Sequence, residues 1–247
     1  MKTQAIRNSY SVIAKKYAKI GEKIKDKTGK ERGKVRLTQS SLLLMVAISA
    51  NTDNYIFPIL ETDNPGTTQA EEIRLNQNDE FISYEVGYYL VADGVSDGGF
   101  DGEIGKSFWT YAPIELDGSF GQLAKAWNAI LSIEVNKISR LERWDLKKHN
   151  VIPRTQYANA FAAADFTRPA TQPSIDFSTD GTYPMQPMLT LSGAKKNLIE
   201  IELLGGAIVA TAAGVWTLPD TDTMTYTATR LALTFRGLLG QNASVFQ

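Results

Sequence analysis

Two hydrophobic periods divide the chain. Near its start Ile6, Tyr10, Ile13, Tyr17, Ile20 and Ile24 recur in steps of four and three, the spacing that lines one face of an α-helix. Lys15, Lys16, Lys19, Lys23 and Lys27 lie beside that stripe or away from it, so the segment predicts a basic amphipathic helix. The stretch DKTGKERGK at 26–34 combines glycines with charges and reads as a flexible joint. From about Val35 the helical period gives way to short apolar or alternating runs separated by turn clusters. VRLTQSSLLLMVAI precedes NTDN, YIFPIL precedes ETDNPG, and EIRLNQNDEFISYEVGYYLVA precedes DGVSDGGFDGEIG. Runs of this length bounded by Asn, Asp, Gly and Pro predict a mainly β body, an antiparallel sandwich or barrel.

The apolar run LLLMVAI at 42–48 is far below the ~20 residues of a membrane-spanning helix. It fits a strand buried on both faces or in a sandwich core. Further on, Leu189 and Leu191 flank Thr190, a turn covers 192–197, and Ile199, Ile201 and Leu203 alternate with Glu200 and Glu202, which predicts a half-exposed strand. Met224, Tyr226 and Ala228 followed by Leu231, Leu233 and Phe235 predict a strand whose face switches at a bulge. GQLAKAWNAI at 121–130 suits a helical turn or two. The charged segment at 138–153, closed by Pro153, also interrupts the β pattern. With the aperiodic 154–174 stretch it reads as a connection between two β units. EIRLNQNDEF at 72–81 and MLTLSGAKKNL at 188–198 share one strand, turn, strand outline. GGAIVATAAGVW at 205–216 is open between a strand pair and a short helix.

Charge sharpens the division. The first 36 residues hold 12 Lys or Arg against three acids, a net of +9, so the remaining 211 hold 14 basic and 24 acidic side chains, a net of −10. The whole-chain value of −1 is a cancellation of these two blocks. A basic amphipathic arm on an acidic body suits an anionic partner, a phospholipid surface or nucleic acid, on one side of the molecule. The same stripe also suits a helix that packs Ile6, Ile13, Ile20 and Ile24 on the body. No secretory signal is apparent, because the N-terminal segment lacks a continuous apolar core.

Candidate chemistry is sparse. The chain has no Cys and one His, which removes disulfides and thiolate ligands and makes zinc and a Ser-His-Asp triad poor expectations. His149, between Lys148 and Asn150, reads as a surface or loop residue. The acid pairs Glu71/Glu72, Asp79/Glu80, Glu200/Glu202 and Asp220/Asp222 read as solvated strand ends and loops. Asp93, Asp97, Asp101 and Glu103 lie in a glycine-rich stretch that suits either calcium or a long hairpin loop. No phosphate-binding glycine motif occurs. Tyr84, Tyr88 and Tyr89 sit in apolar runs and read as core or subunit contacts rather than base-stacking platforms. No enzyme, cofactor, metal or catalytic residue is expected.

The stretch AWNAILSIEVNKISRLERWDLKKHNVIPRTQ at 126–156 resembles part of the capsid proteins of phages that infect Bacteroidetes. It has a Trp-Asn turn, an L-S-I-x-V-N strand, a W-D-L segment and a hydrophobic-Pro-x-Thr-Gln close. The pairing of PMLTLSGAKKNLIEIEL with YTATRLALTFRGLL is similar too, and together these cover about a quarter of the chain. The resemblance to finnlakevirus-like, tailless, membrane-containing phages implies a double jelly-roll major capsid protein. It implies a basic amphipathic arm over 1–36, a first jelly roll over 37–150 and a second over 151–247. Trimers would form pseudo-hexagonal capsomers of an icosahedral virion, assembled in the host cytoplasm. Their partners would be neighbouring capsomers, penton and minor virion proteins, and internal membrane lipids or packaged DNA at the arm. The shortness of the body leaves a single jelly roll with an elaborated linker as a second architecture. A virion spike or accessory jelly roll that binds a receptor or glycan is the alternative function, and a β-sandwich carboxylate hydrolase or lyase is the third.

Overall fold

The computed structural model describes residues 36–62, 72–96, 103–111, 123–151, 181–208, 215–217 and 223–243. The expected arm helix, the 26–34 joint, the 154–174 connection and the pair Asp220/Asp222 lie outside them. The described residues form a mainly β body of two antiparallel sheets.

Ten strands follow in chain order: β1 Arg36–Ala47, β2 Asn54–Phe57, β3 Glu80–Ser96, β4 Glu103–Trp109, β5 Ala129–Val135, β6 Ile138–Asp145, β7 Thr182–Ser192, β8 Asn197–Leu203, β9 Val215–Thr217 and β10 Thr223–Gln241. One sheet runs β1-β10-β3-β4, with β7 also on β3 and β9 on β10; the other runs β2-β8-β5-β6. The pairs are nested. β1 lies against β10, β2 against β8, β3 against β7 and β5 against β6, all antiparallel. The early half of the body is thus laced to the late half strand by strand.

The two sheets share one core. Leu42 and Leu44 of β1, Tyr88 and Leu90 of β3 and Leu231, Leu233 and Phe235 of β10 meet Leu131 and Ile133 of β5 and Ile199 and Ile201 of β8. This is the alternation read at 199–203, with Glu202 exposed on the opposite face. β1 is buried on the core face through Leu42 and Leu44, while on the other face Met45 is buried, Leu43 half-buried and Ala47 exposed. Met45 joins Val91 and Ala232 in a second, smaller cluster.

Each sheet takes strands from both sides of the 150/151 position, and one core spans them. In the larger sheet β10 sits between β1 and β3. The segments 72–81 and 188–198 also differ from a hairpin. β7 pairs with β3 and β8 with β5 and β2, so the 193–196 turn carries the chain from one sheet to the other. The charged segment at 138–153 is largely a strand, β6, followed by a 3-10 turn at Leu146–His149. A second 3-10 turn at Leu123–Trp127 fulfils the helical reading of 121–130 in part. In 205–216, Ile208 bridges Thr52 and β9 pairs with β10, so its described ends are β.

Bulges set which residues face inward. Opposite β10, the register of β3 shifts between Glu85 and Ser83, leaving Tyr84 unpaired. Inward positions accordingly change from Val86, Tyr88 and Leu90 to Phe81 across it. β10 does carry a bulge, but between Tyr226 and Ala228, ahead of the expected switch between Ala228 and Leu231. At the Tyr84 bulge the two backbones come so close that a Cβ on Gly237 would lie 2.1 Å from the Ile82 carbonyl oxygen. Backbone cannot yield as a side-chain tip can, so Gly237→Ala is expected to lower stability by about 2 kcal/mol. Urea unfolding of the variant checks this, and an unchanged midpoint would show that the bulge can open freely.

Candidate functional site

The sequence-derived site residues Ile6, Tyr10, Ile13, Lys15, Lys16, Tyr17, Lys19, Ile20, Lys23, Ile24 and Lys27 all lie outside the described residues, ahead of β1. Of the acidic loop, Asp97 and Asp101 also lie outside them. Among the described residues no group of three or more His, Asp or Glu is arranged to hold a metal ion, and no helix is long and apolar enough to cross a membrane.

The flanks of the sandwich differ. On one, residues 72–75 strap the sheets together. Leu43 and Ile73 exchange backbone hydrogen bonds at 2.9 and 3.0 Å, while Leu75 donates to Ile59 (2.8 Å) and accepts from Glu61 (3.1 Å). Here Glu72 is not a solvated acid. Its carboxylate pairs with Arg74 at 2.8 Å, with both side chains buried, and accepts the Met45 N–H at 2.8 Å.

The other flank holds a groove. Among the described residues β6 pairs only with β5 and β7 only with β3, and these two edge strands face one another across a cavity of about 590 Å³. Its polar lining is Glu80, Ser139, Arg140, Thr190, Ser192 and Lys195; Val135, Pro187, Met188 and Leu189 supply the apolar part. Glu80 is 1 % exposed, a second departure from the expected solvated acids. Ser192 is 2 % exposed, and its Oγ has no hydrogen-bond partner among the described residues.

Interlocked turns fix this wall. Asn136 and Lys137 both have positive φ, 53° and 64°, the two-residue type I′ connection that matches strand twist. Asn136 donates to the Lys196 carbonyl (2.8 Å), and its Oδ1 accepts the Lys196 N–H (3.1 Å). Asn197 Nδ2 donates to the Ser192 and Lys195 carbonyls, each at 2.9 Å. Gly193 donates to the Asp79 carbonyl at 2.8 Å. A Cβ there would lie 2.1 Å from the Asn76 oxygen, so only glycine fits between the turns. Nothing local in the sequence ties residues 80, 140 and 192 together, so no sequence pattern marks the groove.

His149 is a correction. It is fully buried rather than a surface residue, because a 3-10 turn eclipses positions i and i+3 and so puts His149 beside buried Leu146 while Lys147 faces outward. The Trp144 Nε1–H donates to its Nε2 at 3.0 Å, and its Nδ1 lies 2.6 Å from the Gly181 carbonyl. One ring nitrogen accepts and the other donates, which defines a neutral imidazole with the proton on Nδ1. Burial, the dominant cause, pushes its pKa down to about 4; the Gly181 hydrogen bond opposes this. Tyr183 stacks edge-on at 4.8 Å, and Lys148 Nζ sits over the Trp144 ring. Beneath them Tyr88 meets Trp127 edge-on and donates to the Ala126 carbonyl at 3.0 Å. With both nitrogens engaged and no exposure, His149 is a packing element with no route to a substrate. Compared with protein-family models, with curated proteins and with solved structures, the chain matches none.

Proposed function

We propose that the chain is a structural subunit of a virus shell, built as a single eight-stranded jelly roll with a basic N-terminal arm. The nested strand pairing carries this reading. A jelly roll arises when one long antiparallel ribbon folds over into two four-stranded sheets. The orders β1-β10-β3-β7 and β2-β8-β5-β6 are what that folding yields, with β4 and β9 as additions. The capsid resemblance at 126–156, which by itself implies two barrels, supports the same shell class. A hexagonal position would then take six copies, where three double-barrel chains would suffice. The +9 arm faces the particle interior, toward membrane lipid or packaged DNA, and the acidic body tiles with its neighbours and with penton and minor virion proteins.

Imaging and native mass measurement of the purified chain test this. Ring-shaped oligomers or closed shells are expected, and a stable monomer at micromolar concentration would overturn the reading. For the arm, the full chain is expected to bind anionic liposomes in a salt-sensitive way, with Ile13→Glu and Ile20→Glu abolishing it. Binding that survives those changes and grows with single-stranded DNA length would make the genome the partner. The groove between β6 and β7 favours a second reading, a virion spike or accessory jelly roll that binds a receptor or glycan. Soluble oligomers that bind a glycan but never close into shells would select it.

A further inference from the structure

We propose that the outer edge of β1 is a pairing surface between two copies of this chain, joined by antiparallel contact of one β1 with the other about a two-fold axis at Gln39. The proposal rests on the shell reading in one respect, that copies of the chain meet, and names a place where two of them do.

β1 is the outermost strand of the larger sheet and pairs with β10 over its whole length without a register shift. Along an antiparallel strand successive residues turn their N–H and C=O groups alternately to either side. Leu43 exchanges both bonds with Ile73, and the Met45 N–H goes to Glu72, so the odd-numbered residues of β1 face away from β10. The strap then leaves this edge, because Leu75 bonds to Ile59 and Glu61 rather than to Ser41. The outward N–H and C=O groups of Leu37, Gln39 and Ser41 therefore meet no other strand among the described residues.

Such an edge is a template for another chain, and folded proteins blunt their edges with prolines, charges, bulges or short strands. The other edges of this body carry those devices. β2 has four residues and β9 three. β7 contains Pro184 and Pro187, and β4 holds Glu103 and Lys106. β6 carries Arg140, Glu142, Arg143 and Asp145 and bends at the positive φ of Arg143. From Leu37 to Leu42, β1 has no charge, proline, glycine or bulge.

The edge also fits itself. A two-fold axis at Gln39 sets that residue against the partner's Gln39 and Leu37 against the partner's Ser41, so all three outward-facing residues of each copy exchange bonds in one register. Moving the axis one residue toward Leu42 would set Leu37 against Leu43, whose groups Ile73 already occupies. Moving it the other way would set Ser41 against residue 35, outside β1. In the Gln39 register Thr38 meets Ser40 and Arg36 meets Leu42, so no like charges oppose one another. The contact is isologous, the same patch on both copies.

Sedimentation velocity and native mass measurement of the full chain, with amide hydrogen exchange, test this. Protection of the Leu37, Gln39 and Ser41 amides should rise with protein concentration as the copies pair. Protection that is absent, or that does not depend on concentration because the chain's own arm lies there, would overturn the proposal. Gln39→Pro removes the central N–H at a position whose N–H faces away from β10, where an edge strand tolerates proline. It should keep the thermal midpoint and weaken pairing at least about tenfold. Gln39→Lys and Gln39→Glu each put like charges across the axis and should weaken pairing in the same way, while an equimolar mixture of the two regains the parental strength. Parental pairing in Gln39→Pro, or a mixture that pairs no better than either variant alone, would also sink the idea. A chain that pairs through β1 but never closes a shell removes the shell reading alone, and shells that persist unchanged in Gln39→Pro remove this one alone.

Discussion

Arg74→Ala is expected to destabilise the body by about 3–5 kcal/mol, the cost of leaving a buried carboxylate without its cation. Arg74 and Glu72 meet at 2.8 Å with side chains 3 % and 1 % exposed, so water cannot replace the guanidinium. The damage falls on a joint between sheets. Residues 72–75 bond to β1 through Leu43 and to the chain after β2 through Ile59 and Glu61, and Leu75 is part of the shared core. Loss of the strap would free one flank of the sandwich and the edge of β1. The double variant Glu72→Gln/Arg74→Met separates charge from shape. It keeps an oxygen for the Met45 N–H, now accepted at 2.8 Å, while removing both charges, and should recover most of the loss. Urea unfolding of the two variants decides the matter: a cost below about 1 kcal/mol for Arg74→Ala would mean that the Glu72 carboxylate reaches solvent when its cation is removed.

Local pattern made the individual strands legible and left their closure hidden. Period-two alternation at 199–203 specified both what that strand is and how it is buried, because it is regular over its length; the unbroken run at 42–48 specified a strand but not the exposure of its outer face at Ala47. β6 was obscured by its bulge. Arg143 has φ of 52°, and the register slips between Leu131 and Ile133, so Leu141 and Trp144 both pack on the core at a spacing of three that mimics a helix. The pairing of β1 with β10 and of β2 with β8 joins residues about 150 to 200 apart in sequence. No local period encodes such contacts, so the order of strands in the two sheets does not follow from the pattern alone. The same distance hid the groove. His149 was hidden for a different reason, since its charged neighbours advertise the outward side of a turn whose inward side has only two members.

Lowering the pH from 7.5 to 5 is expected to remove about 2 kcal/mol of stability through His149 alone. Its folded pKa is depressed to about 4, below the ordinary ~6.5, so the unfolded chain binds the proton first. Stability is therefore full above about pH 6.5 and declines as pH falls toward 4, reaching a total loss of about 3 kcal/mol below that. The imidazolium would have no acceptor at Nε2, where the Trp144 N–H now points, and Lys148 adds a repelling charge that Asp145 offsets only in part. Most carboxylates titrate below this window, which isolates the histidine. His149→Gln offers an amide to the same two partners and cannot titrate. Its stability at pH 7.5 should be lower than that of the parent chain, because a smaller side chain leaves space beside Tyr183 and Tyr88. Between pH 7.5 and 5, however, its stability should stay nearly flat. Chemical denaturation across that range measures both curves. Parallel slopes in the two proteins would mean that His149 titrates normally and that the pocket around it opens to water.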